Sequence, residues 1–191
     1  MKPENYSLLF WQSRVDYLRL LSSFKFGRIL LVFLNYAIWL FFFYLSYLLV
    51  KFDANIFWQL LLATILAELI EKIFKRKNLW PRPMFLRHDQ TPLGLVDSWY
   101  RSGSFPSGHS IKAAFFFLFL LQYHVFPLPL FFAVVVPLIL FRVLVSFHYP
   151  IDILGGILIG ILIWLPLHLL TFPFYLLNLT RVIFNFVFHL A

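Results

Sequence analysis

Apolar residues run through this chain in long blocks separated by short polar breaks. The blocks at 29–50 and 56–74 are each long enough to cross a hydrocarbon core of about 30 Å at about 1.5 Å of rise per residue. Asp53 and Asn55 mark a tight turn between them. Four more follow at 109–124, 127–145, 151–170 and 174–190, broken at Pro127, at His148-Tyr149-Pro150 and at Pro173. The first of these is short for a full crossing and the last carries Asn178, Arg181 and Asn185, which suits tilted or partly interfacial helices. Upstream, residues 7–24 set Leu8, Leu9, Trp11, Val15, Leu18 and Leu21 at helical spacing against Gln12, Arg14 and Asp16, the pattern of an amphipathic helix lying in the interface. The pattern predicts an all-α integral membrane fold, a bundle of about six transmembrane helices with an N-terminal amphipathic interfacial helix within residues 1–28.

The long polar segment lies at 76–106, where Pro81, Pro83, Pro92, Gly94, Gly103 and Pro106 forbid a continuous helix. A surface loop of that length is usually functional or disordered. Three polar islands sit around it at the ends of apolar blocks: Lys75-x6-Arg82-Pro83, Pro106-Ser107-Gly108-His109 and Arg142-x5-His148-x3-Asp152. The first follows span two, the second opens span three and the third joins span four to span five. All three therefore fall on one membrane face, which points to a single site over a core of residues 75–152 within one membrane-embedded domain, 1–191.

Composition agrees with the pattern: 191 residues are 62% hydrophobic and 13% charged, which excludes an ordinary soluble domain. With no cysteine, disulfides, iron–sulfur clusters and thiolate nucleophiles are excluded as well. The net charge of +8 raises nucleic acid as a partner, but the basic residues cluster at segment ends beside aromatics and leave no basic arm free to enter a groove. The expected partners are the lipid bilayer and an anionic lipid, with no nucleic acid and no obligate protein partner. The N-terminus lacks the apolar core and cleavage pattern of a signal peptide and is expected to stay on.

The islands hold the parts needed to move a phosphoryl group. Pro106-Ser107-Gly108-His109 opens a helix, where free N–H groups and the positive end of the macrodipole make an anion seat, and Gly108 lets a phosphate approach the backbone. A plain proline-initiated helix cap has the same look. Lys75, Arg82 and Arg142 read singly as basic residues reaching for headgroups, yet Arg142 lies inside an apolar run and needs an anion or carbonyls to offset its burial. His148 and Asp152 are four apart, a spacing that lets the carboxylate hold the imidazole. His148 is then a candidate nucleophile and His109 a candidate acid and base. His109, His148 and Asp152 could also ligate zinc or iron, but three fixed cations would repel a divalent ion while suiting phosphoryl oxygens. No metal and no cofactor are expected. Glu71 either aims Lys75 from one turn away or belongs to a charged helix end. His88, His124, His168 and His189 lie outside the islands and read as interfacial.

The three islands resemble the signature of the type 2 phosphatidic acid phosphatase superfamily, the lipid phosphate phosphatases: Lys-x6-Arg-Pro, Pro-Ser-Gly-His and Ser-Arg-x5-His-x3-Asp. The match runs from Lys75 to Asp152 with one departure, Phe141 in place of the serine before the arginine, which bears on one auxiliary hydrogen bond and not on the nucleophile or the phosphate grip. The resemblance implies His148 as nucleophile, Asp152 as its partner and His109 as acid/base. It implies Lys75, Arg82, Ser107, Gly108 and Arg142 as phosphate holders.

The implied activity is metal-independent hydrolysis of the terminal phosphate of a lipid phosphate or pyrophosphate through a phosphohistidine. Family substrates include undecaprenyl pyrophosphate, lipid A phosphates, phosphatidylglycerol phosphate and phosphatidic acid. So compact a chain is similar to the small bacterial members, which favours the polyprenyl substrate. The expected location is the bacterial cytoplasmic membrane with an extracytoplasmic site, although the positive-inside rule alone points the basic face to the cytoplasm. Trp80, Phe85, Trp99, Tyr100 and Phe105 suit an interfacial lid over the site. Competing readings are a lipid or anion transporter that binds through the same cations without turnover, a vanadate-dependent haloperoxidase, disfavoured by the apolar spans, and an inactive scaffold.

Overall fold

The computed structural model describes residues 8–188, and these fold into eight α-helices and short 3-10 turns, with no strand among the described residues. Residue 7, the start of the expected N-terminal helix, and His189 and Leu190, at the end of the last expected span, lie outside them. Helices α2 (Lys25–Phe52) and α7 (Pro150–Leu167) are long and apolar enough to cross a membrane. Between them lie α3 (Ala54–Lys77), the one-turn α4 (Asp97–Tyr100), α5 (Gly108–Tyr123) and α6 (Leu128–Leu144). The 16 residues of α5 and the 17 of α6 reach about 24 to 26 Å, so both are short against a core of about 30 Å. The turn between α2 and α3 is a single residue, Asp53, whose side chain accepts from the Asn55 N–H at 2.9 Å and so caps α3.

Two expected elements take a different course. The N-terminal segment is not one interfacial helix: a 3-10 turn at Leu8–Phe10 and the short α1 (Tyr17–Ser22) are separated by irregular chain. Asp16 breaks the helical run because its carboxylate accepts from the Arg19 N–H at 3.0 Å and starts α1 there. The segment is tied down to the 78–107 connection: Arg87 donates to the Ser13 carbonyl at 2.7 Å, and His88 lies 2.9 Å from Asp16. Phe10 packs edge-on against Trp80 and Tyr149.

The last helix, α8 (Phe174–Phe188), does not run back along the bundle. Its lead-in ring Phe172 lies against Trp58, and Phe184 and Phe188 lie against Tyr47. A cavity between Lys51–Ala54 and Thr180–Asn185 separates the two. Tyr47 is six residues before Asp53, roughly 9 Å along α2, so α8 stays at the α2–α3 turn end of the molecule, opposite the islands. Its apolar residues Phe174, Leu179, Val182, Ile183 and Phe186 are exposed, as in a helix lying along an apolar surface.

What positions the site is the pairing of α5 with α7. A Cβ on Gly156 would lie 2.7 Å from the Ser107 carbonyl oxygen and 2.8 Å from the Ser110 Cβ, and one on Gly160 would lie 2.7 Å from the Ala114 Cβ. The small-x3-small stripe thus lets the two backbones touch, bringing the first turn of α7 against the first turn of α5. Below that contact the core is aromatic, with Phe115 and Phe119 fully buried and Phe42 stacked on Phe116 at 4.7 Å.

Candidate active site

All eight candidate residues lie at one end of the bundle, and a chain of contacts joins them. Lys75 is in the last turn of α3, Arg82 just precedes the 3-10 turn Pro83–Leu86, and Ser107 caps α5, whose first residues are Gly108 and His109. Arg142 is in the last turn of α6 and Asp152 in the first turn of α7. His148 lies in the connection between those two helices. Ser146 there adopts φ 63, an uncommon left-handed conformation for a residue with a Cβ. The turn is held by the Phe147 and His148 N–H groups donating to the Arg142 carbonyl at 2.8 and 3.2 Å.

His148 is fully buried between a cation and an anion. Its Nε2 lies 3.2 Å from Arg82 Nη1 and its Nδ1 lies 3.4 Å from Asp152 Oδ2. A guanidinium can only donate, so the first contact requires the lone pair on Nε2 and puts the proton on Nδ1, facing the carboxylate. Burial, with Arg82, Arg142 and Lys75 nearby, holds the His148 imidazole well below its ordinary value. It is therefore neutral, with its nucleophilic nitrogen turned toward the arginine.

Asp152 is locked by several donors. Trp80 Nε1 donates to Oδ1 at 2.9 Å, while Ser104 Oγ and the Tyr149 N–H donate to Oδ2 at 2.5 and 2.8 Å. Ser104 Oγ also lies 3.4 Å from His148 Nδ1, so it gives its proton to the carboxylate and offers a lone pair to the imidazole. The Asp152 carbonyl accepts from the Ser107 N–H at 3.0 Å, fixing α7 to the start of α5.

Two buried guanidiniums form the opposite wall. Arg82 donates to the Phe147 carbonyl at 3.1 Å and the Trp99 carbonyl at 3.3 Å, and lies over the Tyr100 ring. Burial and the neighbouring Arg142 push its pKa down to about 10, so it stays charged at neutral pH. Arg142 Nη1 lies 3.5 Å from His109 Nε2 and donates to Asn35 Oδ1, which Tyr100 also approaches at 2.9 Å. The same donor logic gives His109 Nε2 the lone pair, the form ready to take a proton. The Nε–H groups of both Arg82 and Arg142 are buried with no hydrogen-bond partner among the described residues. Such donors are costly in protein and suit an oxyanion between the two arginines.

The family model of the PAP2 superfamily matches residues 56–175, a stretch containing all eight candidate residues. The chain belongs to the PAP2 superfamily. Its members are phosphatases of phosphate esters, often lipid phosphates, which sets the general class of this chain's reaction. The chain matches no curated protein and no solved structure.

Several residues beyond the eight candidates are built into the site. Ser104 and Trp80 hold Asp152, Asn35 holds Arg142, and Trp39 lies edge-on to His109 at 5.1 Å. Trp80 lies within the first island and Ser104 two residues before the second, so both carried a signal. Asn35 and Trp39 carried little, being single residues in an apolar block. The expected aromatic lid is not a lid. Tyr100 is buried under Arg82, while Trp80 and Phe105 pack on each other at 5.4 Å. Phe85 packs against a buried cluster, leaving Trp99 as the freely exposed ring. Tyr100, Trp80 and Phe105 are walls because each packs against a charged or aromatic partner.

Proposed function

We propose that this PAP2 protein is a membrane phosphatase that removes the terminal phosphate of a lipid phosphate or pyrophosphate through a phosphohistidine on His148, without a metal. The observation that carries the reading is the polarised imidazole, with Nδ1–H toward Asp152 and Ser104 and the Nε2 lone pair toward Arg82. When the phosphoryl group arrives, Arg82, Arg142 and Lys75 pair with its oxygens, Ser107 and Gly108 receive it at the start of α5, and Arg82 releases Nε2. As Arg142 turns to the phosphate, His109 Nε2 takes up the proton that the substrate phosphate brings; His148 Nε2 attacks phosphorus, the P–O bond to the lipid breaks, and the leaving oxygen takes that proton from His109. His109 then takes a proton from water, whose oxygen attacks phosphorus; the P–N bond breaks, orthophosphate leaves and His148 regains its lone pair. Developing charge is met by fixed guanidiniums and helix dipole, and the same positive field opposes a divalent metal.

The substrate we infer is undecaprenyl pyrophosphate, ahead of lipid A phosphates, phosphatidylglycerol phosphate and phosphatidic acid, all of them substrates in the family whose signature the islands resemble. A site at the ends of apolar helices lets a headgroup reach the cations while its tail stays in hydrocarbon. We infer that α2, α3, α5, α6 and α7 cross the bacterial cytoplasmic membrane with the site extracytoplasmic. The course of α8 argues for an in-plane helix in place of a sixth span.

The test is phosphate release by detergent-purified protein from those four lipids, with EDTA present and His148→Ala alongside. Chelator-resistant release that vanishes in the variant is expected, with the polyprenyl diphosphate fastest. Lipid or anion binding and transport that persist in His148→Ala, with no release in either protein, would replace the enzyme by the transporter reading.

A further inference from the structure

Glu71 is a charged group at this site that neither the islands nor the proposed chemistry uses. Its carboxylate is paired with Lys75 one turn later on α3. It also lies directly against the backbone of Gly108, so closely that a Cβ on that glycine would overlap its oxygens. This puts a fixed carboxylate at the N-terminal end of α5, where helix dipole and backbone favour an anion. It engages a lysine that the proposed reaction needs for phosphate. The carboxylate has a second cation within reach. Lys112, one turn into α5 and buried, holds Glu68 at 2.7 Å and lies 3.8 Å from Glu71 Oε2. Lys112 is fixed over the Trp39 ring at 4.9 Å, so its ammonium stays in place whichever anion occupies the seat.

Resting on the phosphatase reading above, we propose that Glu71 is the resident anion of the phosphate seat. It pairs with Lys75 and Gly108 in the empty enzyme, yields to the incoming phosphoryl group by turning toward Lys112, and returns to expel orthophosphate. Glu71 therefore sets how tightly the site retains its product. A carboxylate that only aimed Lys75 would strengthen phosphate binding. A carboxylate that competes for the seat weakens it. The two roles have opposite signs on removal of the charge.

Orthophosphate binding to the full-length, detergent-purified protein, measured by calorimetry, separates them. The proposal predicts that Glu71→Gln binds orthophosphate about tenfold more tightly than wild type, a change of about 1.4 kcal/mol, while Lys75→Gln binds it more weakly. Glu71→Asp keeps the charge that Lys112 faces but withdraws the carboxylate by one methylene, and is expected to tighten binding about threefold. In turnover, product inhibition by added orthophosphate should set in at correspondingly lower concentration in both variants. Unchanged or weaker orthophosphate binding in both Glu71 variants, with wild type binding normally, would overturn the inference and leave the phosphatase reading intact. No binding to wild type or to either variant would overturn both.

Discussion

The two ends of the helix bundle both bury polar side chains, and they do so by different rules. At the α2–α3 turn end the groups are neutral amides bound to backbone. Asn55 donates to the Leu170 carbonyl at 2.9 Å and accepts from the Phe172 N–H at 2.9 Å, while Gln59 donates to the carbonyls of His168 and Leu170. These bonds satisfy the chain end of α7 where it turns into α8, which is a structural task. At the island end the groups are ionisable and bind one another: Arg82 to His148, His148 to Asp152, Arg142 to His109, Lys75 to Glu71. Buried ionisable groups that face each other are a poor route to stability and a good one to chemistry. Polarity in the bundle therefore marks structure at one end and, on the phosphatase reading, reaction at the other.

Substitutions should separate the two ends. The largest effect is expected for His148→Ala, with kcat lowered on the order of 10⁴-fold or more and orthophosphate still bound. Loss of both together would mean that His148 holds the anion and does not attack it. Asp152→Asn should lower kcat about 10³-fold and also cost stability, because Trp80, Ser104 and the Tyr149 N–H donate to that carboxylate. Ser104→Ala should be milder, about tenfold in kcat with KM little changed, checked by steady-state kinetics on the best lipid. Gln59→Leu at the other end should leave turnover unchanged and lower stability by about 1 kcal/mol, read by thermal unfolding in detergent. A turnover loss there would break the contrast.

The pH profile sharpens the same contrast. His148 is held below the ordinary value of 6.5 by burial first and by Arg82, Arg142 and Lys75 next. A lowered pKa keeps the nucleophile neutral further into acid, so the free enzyme loses it only as pH falls through that lowered value. The acid limb of kcat/KM set by His148 is therefore expected below pH 6.5. A limb above that point would mean that the cations do not act on the imidazole as their placement implies.

How much was legible follows the same division. The islands were readable because residue type, spacing and order coincide, and all eight island residues meet at one end of the bundle. Asn35 was not readable. An asparagine within an apolar helix has no local mark of its partner Arg142, which lies 107 residues away. Lys112 read as part of an apolar block, and only the fold brings Glu68 from α3 to its ammonium. The N-terminal segment carried an amphipathic pattern, and only part of it packs on protein: Leu18 is buried and Phe10 lies against Trp80 and Tyr149, while Leu8, Leu9, Trp11 and Val15 stay exposed. Periodicity shows that a face will be covered without showing by what. Residues 174–190 were apolar enough for a span, and the departure of α8 depends on Asn55 and Gln59 catching the carbonyls before it.

The central claim is a covalent phosphoryl group on His148, and rapid acid-free quenching with mass spectrometry of the protein during turnover of undecaprenyl pyrophosphate tests it most directly. The account predicts an acid-labile phosphoryl adduct on the peptide containing His148, formed in the presence of EDTA and missing in His148→Ala. Turnover at full rate with an unmodified His148, or with the adduct on another residue, would contradict it.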